Sequence, residues 1–177
     1  MKYIITLFVS LFLTTSVFAE SLFFKGQNNG WDIFGIHQRD KLNPVCRADK
    51  NYNDGSQFSL IKDLADNELY IVLVNNSWNI ADPPGQYSAR INFHSGSRVT
   101  GAQMTYELLN KNTIRVRNIV QNRFVPDFMN YSKMVVIMPG TIPNAEINLT
   151  GSSNMISLMA QCTRIYVPGN DKPGTSL

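Results

Sequence analysis

Residues 45–74, VCRADKNYNDGSQFSLIKDLADNELYIVLV, decide the fold of this chain. The stretch contains three strand-length runs separated by turn residues: 45–52, 57–62 and 68–74. The first turn contains Asp54-Gly55, and an Asp-Gly pair supplies the positive φ angles that a tight hairpin needs. The third run is almost continuously apolar and rich in β-branched residues, which predicts a central strand buried on both faces.

Runs of similar length continue on both sides of this stretch, with further turn signals between them: 31–36, 87–93, 98–109, 113–119, 133–138 and 145–149. In residues 87–93 apolar and polar side chains alternate, as in a strand with one buried face. The residues before Trp31, which include Phe23 and Phe24, are interpreted as a short lead. Short strands at about ten-residue spacing are typical of an antiparallel sandwich or barrel. We therefore expect a mainly β fold, either an antiparallel β-sandwich or an open barrel.

Two segments have helical periodicity. A short helix is expected near residues 122–130, where apolar residues recur at one- and four-residue steps. A C-terminal helix is expected near residues 153–162. One face of that second helix is formed by residues at i, i+3, i+4 and i+7: Met155, Leu158, Met159 and Cys162. This face is expected to pack on the sheet.

Residues 1–19 have the features of a secretory signal peptide. Lys2 gives a minimal positive region, an uncharged apolar segment follows, and Ala19 supplies the small residue at the cleavage site. A transmembrane anchor is the alternative, but the apolar run is short for a hydrocarbon core of about 30 Å. We expect cleavage, a periplasmic or secreted location and no stable membrane insertion afterwards. Residues 20–166 then form a single β-rich domain, and residues 167–177 a disordered tail.

Cys46 and Cys162 are the two cysteines of the chain. In an exported protein they are expected to form the one possible intramolecular disulfide. The expected helix that carries Cys162 packs on the sheet that carries Cys46, so the helical periodicity agrees with this pairing. The alternatives are a reactive thiol beside His37 or His94 and half of a metal site. Neither cysteine has the C-x-x-C or C-x-x-H spacing of metal ligands.

The composition limits the classes of partner. Charged residues make up 16% of the chain and hydrophobic residues 44%, which excludes a disordered, charge-rich protein. The formal net charge of +3 falls to +2 when Lys2 leaves with the signal peptide. So small a charge predicts no nucleic-acid partner. Arg115 and Arg117 alternate with apolar residues and are interpreted as a solvated sheet face, with an anionic-ligand site as the alternative.

No assembled catalytic motif is visible in the sequence. There is no G-x-S-x-G elbow, H-E-x-x-H pair or P-loop, and His37 and His94 are the only imidazoles. We therefore expect no catalytic residue, no metal and no cofactor. Trp31 and Trp78 are interpreted as packed in the core or its margin, rather than as exposed anchors for a partner or a glycan.

Widely spaced landmarks run along the domain in this order: Trp31, Cys46, Asp54-Gly55, Trp78, Gly151-Ser152 and Cys162. In this arrangement the chain resembles the invasion-associated locus B group of small exported bacterial β-domains, which share an early Trp followed by Cys and a strand-rich body. The resemblance implies an exported, non-enzymatic role in the cell envelope or in contact with a host.

We therefore expect a non-catalytic binding or interaction domain with a protein partner in the envelope or outside the cell. One alternative is an inhibitor of a foreign or host hydrolase, with its key residues on a loop such as residues 82–86. The other is an exported hydrolase whose Cys/His site is assembled in space.

Overall fold

The computed structural model describes residues 21–37, 44–81, 86–117, 119, 123–140 and 142–166. The strands in these ranges are β1 (Ser21–Asn28), β2 (Trp31–His37), β3 (Val45–Asn51), β4 (Gln57–Asp63), β5 (Leu69–Val74), β6 (Gln86–Ser95), β7 (Arg98–Asn110), β8 (Thr113–Val116), β9 (Lys133–Ile137) and β10 (Ala145–Asn148). The helices are α1 (Phe124–Asn130) and α2 (Ser152–Ile165). The expected signal peptide, the expected tail and residues 82–85 lie outside the described residues.

These strands form one antiparallel sheet in the order β1-β2-β3-β4-β5-β8-β7-β6-β9-β10. The first five strands are consecutive neighbours, and the Asp54-Gly55 turn joins β3 to β4, with Gly55 at φ 79°. The chain then crosses to β6 and returns through β7 to β8, which pairs with β5. The expected mainly β, antiparallel fold is confirmed. The described residues build one open ten-stranded sheet, which is consistent with either of the two expected forms.

The sheet curls so that its two ends approach each other. Lys50 lies on β3, the third strand from one edge, and its Nζ donates to the backbone O of Asn148 on β10, the opposite edge strand, at 2.8 Å. Trp31 Nε1 donates to the backbone O of Thr150, just beyond β10, at 3.0 Å. These contacts are hydrogen bonds from side chains to backbone oxygens, rather than backbone pairing between two strands. The result is an open barrel with a seam between β10 and the β3–β4 hairpin.

The helices pack on the inner face of the curled sheet. Phe124 and Phe128 of α1 stack with ring centroids 5.4 Å apart, and Phe128 also contacts the rings of Trp31 and Phe58. On α2 the apolar face predicted from the sequence points into this core, with three buried residues and one partly buried: Met155, Met159, Cys162 and Leu158. Both expected helices are confirmed, α2 being one residue longer at its start and three at its end.

β1 is a strand where the sequence predicted only a lead. Its register against β2 shifts between Leu22 and Phe24, which is the signature of a β-bulge. The bulge breaks the two-residue alternation by which a strand is recognised, so the sequence pattern hid it. The Phe23 ring instead fills the space above Gly35 of β2, where a Cβ would lie 2.5 Å from a ring carbon.

The central strand β5 is fully buried on one face only, so the prediction of burial on both faces is wrong. Ile71 and Leu73 face the core, whereas Tyr70 and Val72 are half-buried on the opposite face. The outward residues are apolar because they pack against apolar neighbours on that face. β8 ends at Val116, three residues before the predicted end.

Candidate functional site

The two cysteines lie together, as the sequence predicts. Cys46 on β3 and Cys162 on α2 are fully buried, their Cα atoms are 6.0 Å apart and their Sγ atoms are at disulfide distance. The pairing therefore joins the C-terminal helix to an early strand. Each sulfur is engaged with the other, which leaves neither in the position of a separate nucleophile.

The two histidines belong to different strands. His37 ends β2, and its ring centroid lies 4.7 Å from that of Phe23 and 5.9 Å from that of Tyr166. His94 lies on β6, and its backbone carbonyl accepts hydrogen bonds from the N–H and Oγ of Ser132. The His37 ring is thus part of an aromatic group, whereas His94 lies at an outward-facing position of β6.

A second apolar group lies on the face of the sheet opposite the helices, and we call it the outer cluster. Its members are neighbours in the register of β2, β3, β4 and β5: Phe34, Ile36, Val45, Ile61, Tyr70 and Val72. Ile36, Val45 and Ile61 are only 7%, 7% and 8% exposed, and the other three are half-buried. Charged side chains border the outer cluster on two sides.

Arg115 and Arg117 border the outer cluster from β8 and the residue after it. Arg115 Nε donates to Glu107 Oε2 at 2.9 Å, and Arg117 pairs with both Glu107 and Glu68. Both guanidinium groups lie within about 6 Å of the Tyr70 ring centroid. The outward placement predicted for the two arginines is confirmed, but each has a carboxylate partner. They form a charge-balanced network rather than an open site for an anion.

A second ion pair borders the outer cluster on the β3 side. Arg47 Nε donates to Asp49 Oδ1 at 2.6 Å, and Arg47 Nη2 donates to Ser59 Oγ at 3.3 Å. Asp49 is 7% exposed, so its carboxylate is held by this arginine rather than by water. The outer cluster thus has arginines fixed in place on both sides.

Protonation of Glu107 is expected to weaken the ion-pair network at low pH. The hydrogen bond from Arg115 lowers the pKa of Glu107 below its ordinary value of 4.5, against the opposing effect of burial, and the charges of Arg115 and Arg117 lower it further. Because the folded-state pKa is depressed, this stabilisation is present above the unfolded-state pKa and is lost as the pH falls through the folded-state value. It is expected to amount to less than about 1 kcal/mol, since the pair is partly exposed.

Urea denaturation of the wild type and of Glu107→Gln tests this expectation. The wild type should be the more stable protein near pH 7, and the difference should shrink as the pH falls below 4.5, the ordinary pKa of the glutamate. A difference that stays constant over this range would contradict the role assigned to the carboxylate.

Trp31 and Trp78 are packed, as the sequence predicts. They are 0% and 2% exposed, so neither ring is available to a partner or a glycan. Trp78 Nε1 donates to the backbone O of Pro143 at 2.7 Å, and Trp31 Nε1 reaches Thr150. The two indoles therefore hold the segments on either side of β10 against the rest of the barrel.

A cleft of about 290 Å³ lies in the seam, and we call it the seam cleft. Its walls come from the β3–β4 turn, from the end of β5 with the residues that follow, and from β10 with the residue before it. Leu73 and Ile147 supply part of its apolar surface. Its polar lining includes Tyr52, Asp54, Ser56, Gln57 and Glu146.

At the seam cleft, Ser56 Oγ is buried without a hydrogen-bond partner among the described residues, and Tyr52 Oη is buried with the backbone of Asn148 beside it. Burial raises the pKa of Tyr52 well above its ordinary value, an effect that a hydrogen bond with the backbone of Asn148 opposes and the carboxylate of Asp54 reinforces. Buried polar groups are normally hydrogen-bonded, and an unpaired one costs about 1–3 kcal/mol. The seam cleft therefore holds polar groups that a ligand can satisfy.

The sequence did not single out Tyr52 or Ser56. The pair Asp54-Gly55 correctly placed a hairpin turn next to both residues, with Tyr52 expected at the end of the preceding strand and Ser56 in the turn. A turn signal does not show which distant strand the turn will face, and here it faces β10, about 90 residues further along the chain. Only the curl of the sheet brings these hydroxyl groups into a cleft.

Within the described ranges, no three or more His, Cys, Asp or Glu side chains are grouped so as to hold a metal ion. No helix in the same ranges has the length and apolar character needed to cross a membrane. The chain matches no protein-family model, no curated protein and no solved structure.

Proposed function

We propose that this protein is an exported, non-catalytic binding domain that holds a protein partner on its outer cluster. The observation that carries the proposal is the outer cluster itself. It places six apolar side chains on the face opposite the core and borders them with ion pairs on two sides. A sheet face that served only as a solvated surface would carry polar residues at these positions.

The layout of the outer cluster supports a role as a protein interface. Interfaces have an apolar centre and a polar rim, and tyrosine and arginine contribute much of their binding energy. Tyr70 lies in the apolar group. The border of that group contains three arginines: Arg47, Arg115 and Arg117. Because carboxylates already hold these arginines, their side chains lose little conformational entropy when a partner binds.

The chemistry of the border also indicates the kind of partner. Arg47 is matched by Asp49 on one side, and Arg115 and Arg117 are matched by glutamates on the other. A surface with balanced charge favours a protein that presents an apolar patch with a mixed-charge rim. It gives little attraction to a nucleic acid or to an anionic membrane, both of which need excess positive charge.

Export to the periplasm or the cell exterior is supported by two independent features. Residues 1–19 have the charge, length and cleavage pattern of a signal peptide. Cys46 and Cys162 lie at disulfide distance, and disulfides persist mainly in oxidising compartments.

The double substitution Tyr70→Ala/Val72→Ala is expected to reduce retention of the partner about tenfold or more. Truncating a central tyrosine of an interface typically costs about 2 kcal/mol or more of binding free energy. The full chain, exported through an oxidising compartment, is immobilised and exposed to envelope and culture fractions of its source cells. The retained protein is identified by mass spectrometry, and its affinity is then measured with purified components.

Arg90→Ala/Gln103→Ala is the matched control, because these two exposed residues face each other on the same outward face at β6 and β7. The proposal requires that the control retain the partner as the wild type does. Equal retention by all three proteins would place the binding site elsewhere, and a wild type that retains nothing would overturn the proposal.

A further inference from the structure

The seam exposes strand-edge peptide groups to the seam cleft. The backbone N–H of Leu149 donates to the O of Ser132, directly opposite across the β9–β10 register, at 2.9 Å. Since backbone groups alternate in an antiparallel ladder, Glu146 and Asn148 turn their N–H and C=O groups away from β9 and toward the seam. The backbone O of Asn148 already accepts a hydrogen bond from Lys50 Nζ. The peptide groups of Glu146, which lines the cleft, are therefore the ones that remain to face it.

The polar groups around these peptide groups include both donors and acceptors. Tyr52 and Ser56 bring two buried hydroxyls, and Gln57 adds an amide that can donate and accept. Two carboxylates act as acceptors. Asp54 Oδ1 is oriented by the backbone N–H of Ser56 at 2.8 Å, and Glu146 Oε2 by Lys133 Nζ at 3.2 Å. A ligand that fits must therefore donate and accept at closely spaced atoms.

The charge and shape of the seam cleft further restrict the class of ligand that it can bind. Asp54 and Glu146 line the seam cleft, and its described lining contains no lysine or arginine, so an anionic ligand is repelled. Leu73, Ala145 and Ile147 give the cleft an apolar side as well. Each hydroxyl of a sugar both donates and accepts, and the C–H groups of its ring match an apolar wall. The volume of about 290 Å³ lies at the lower end for ligand pockets.

We propose that the seam cleft binds a neutral sugar unit, with Tyr52, Ser56 and the Glu146 peptide as its hydrogen-bonding groups. This site shares no residue with the outer cluster, and it stands whether or not the outer cluster holds a protein. The sugar can be a free saccharide or a terminal unit of a larger glycan, and both present the same hydroxyl chemistry.

Backbone amide NMR of the full chain in its exported form tests the proposal. The probes are glucose, galactose, N-acetylglucosamine and maltose, with glucosamine as a cationic probe and glucose 6-phosphate as an anionic one. At least one neutral probe should give saturable shifts confined to residues 52–57 and 144–147 at about 50 mM, a concentration that saturates a site of millimolar affinity. Its affinity should exceed that of glucose 6-phosphate about tenfold or more. Preference for maltose over glucose would point to a glycan end rather than a free monosaccharide.

The double substitution Tyr52→Phe/Ser56→Ala removes the two hydroxyls and keeps the tyrosine ring. It should weaken sugar binding about tenfold or more. The thermal midpoint of the free protein should change little, because Ser56 Oγ has no partner among the described residues and Tyr52 Oη has only the backbone of Asn148. The control variant Tyr131→Phe/Ser88→Ala also removes one tyrosine hydroxyl and one serine hydroxyl, but at positions that do not line the cleft. It should bind the sugar as tightly as the wild type does.

Three results would overturn the proposal. The first is the absence of saturable shifts with every neutral probe. The second is tighter binding of glucosamine alone, which would make the cleft a cation site. The third is unchanged affinity in Tyr52→Phe/Ser56→Ala.

Discussion

Replacing Cys46 and Cys162 together with alanine is expected to lower the free energy of unfolding by about 4 kcal/mol. The two residues are 116 positions apart, so their bond closes a loop that spans most of the domain. In the chain-entropy model a loop of this size restricts the unfolded chain strongly, by about 4–5 kcal/mol before any native strain is subtracted. Urea denaturation followed by circular dichroism measures the difference.

A reducing agent provides the control for this prediction. It should destabilise the oxidised wild type to the level of Cys46→Ala/Cys162→Ala, and it should leave the double variant unchanged. Equal stability of the oxidised wild type and the double variant would show that the cysteines do not stabilise the domain through a covalent link.

Trp31→Ala is expected to destabilise the protein by about 3–5 kcal/mol, the range found when large aromatic residues are removed from a core. The indole is fully buried, and its ring centroid lies 5.7 Å from that of Phe58 and 5.8 Å from that of Phe128. Its Nε1 also holds the backbone of Thr150 at the seam. The variant therefore loses a core side chain and a link across the seam at once.

Trp31→Phe separates these two contributions. It keeps an aromatic ring near Phe58 and Phe128 and removes the hydrogen bond to Thr150, so it should cost about 1–2 kcal/mol. Circular dichroism is the suitable probe, because both variants remove a fluorophore. If Trp31→Phe were as destabilising as Trp31→Ala, the link at the seam rather than the core packing would dominate.

Most strands could be predicted because their signals are local. The run 68–74 and its neighbours contain the turn residues and β-branched residues that set strand positions within one or two residues. The pairing of Cys46 with Cys162 could also be predicted, since a helical face and an export signal both favoured it. The placement of Arg115 and Arg117 followed from two-residue alternation alone.

The long-range features could not be predicted from these signals. β1 was missed because a bulge at Leu22–Phe24 interrupts its alternation. The β5–β8 pairing and the approach of β10 to the β3–β4 turn join segments that are distant in the sequence, and no local pattern encodes them. The seam cleft exists only through that approach, which explains why Tyr52 and Ser56 looked like ordinary residues of a hairpin.

The covalent link between β3 and α2 also determines how the chain would respond to mechanical load. A pulling force applied at the two termini enters through β1 and β2 on one side and through the end of α2 on the other. It meets the Cys46–Cys162 bond before it reaches any strand from β4 to β10, because all of these lie between the two cysteines. With the bond formed, the outer cluster strands β4 and β5 and the seam contacts between residues inside the loop are shielded from tension along the backbone. Only the segments outside the loop can extend, and Trp31, which holds Thr150 across the seam, lies in one of them.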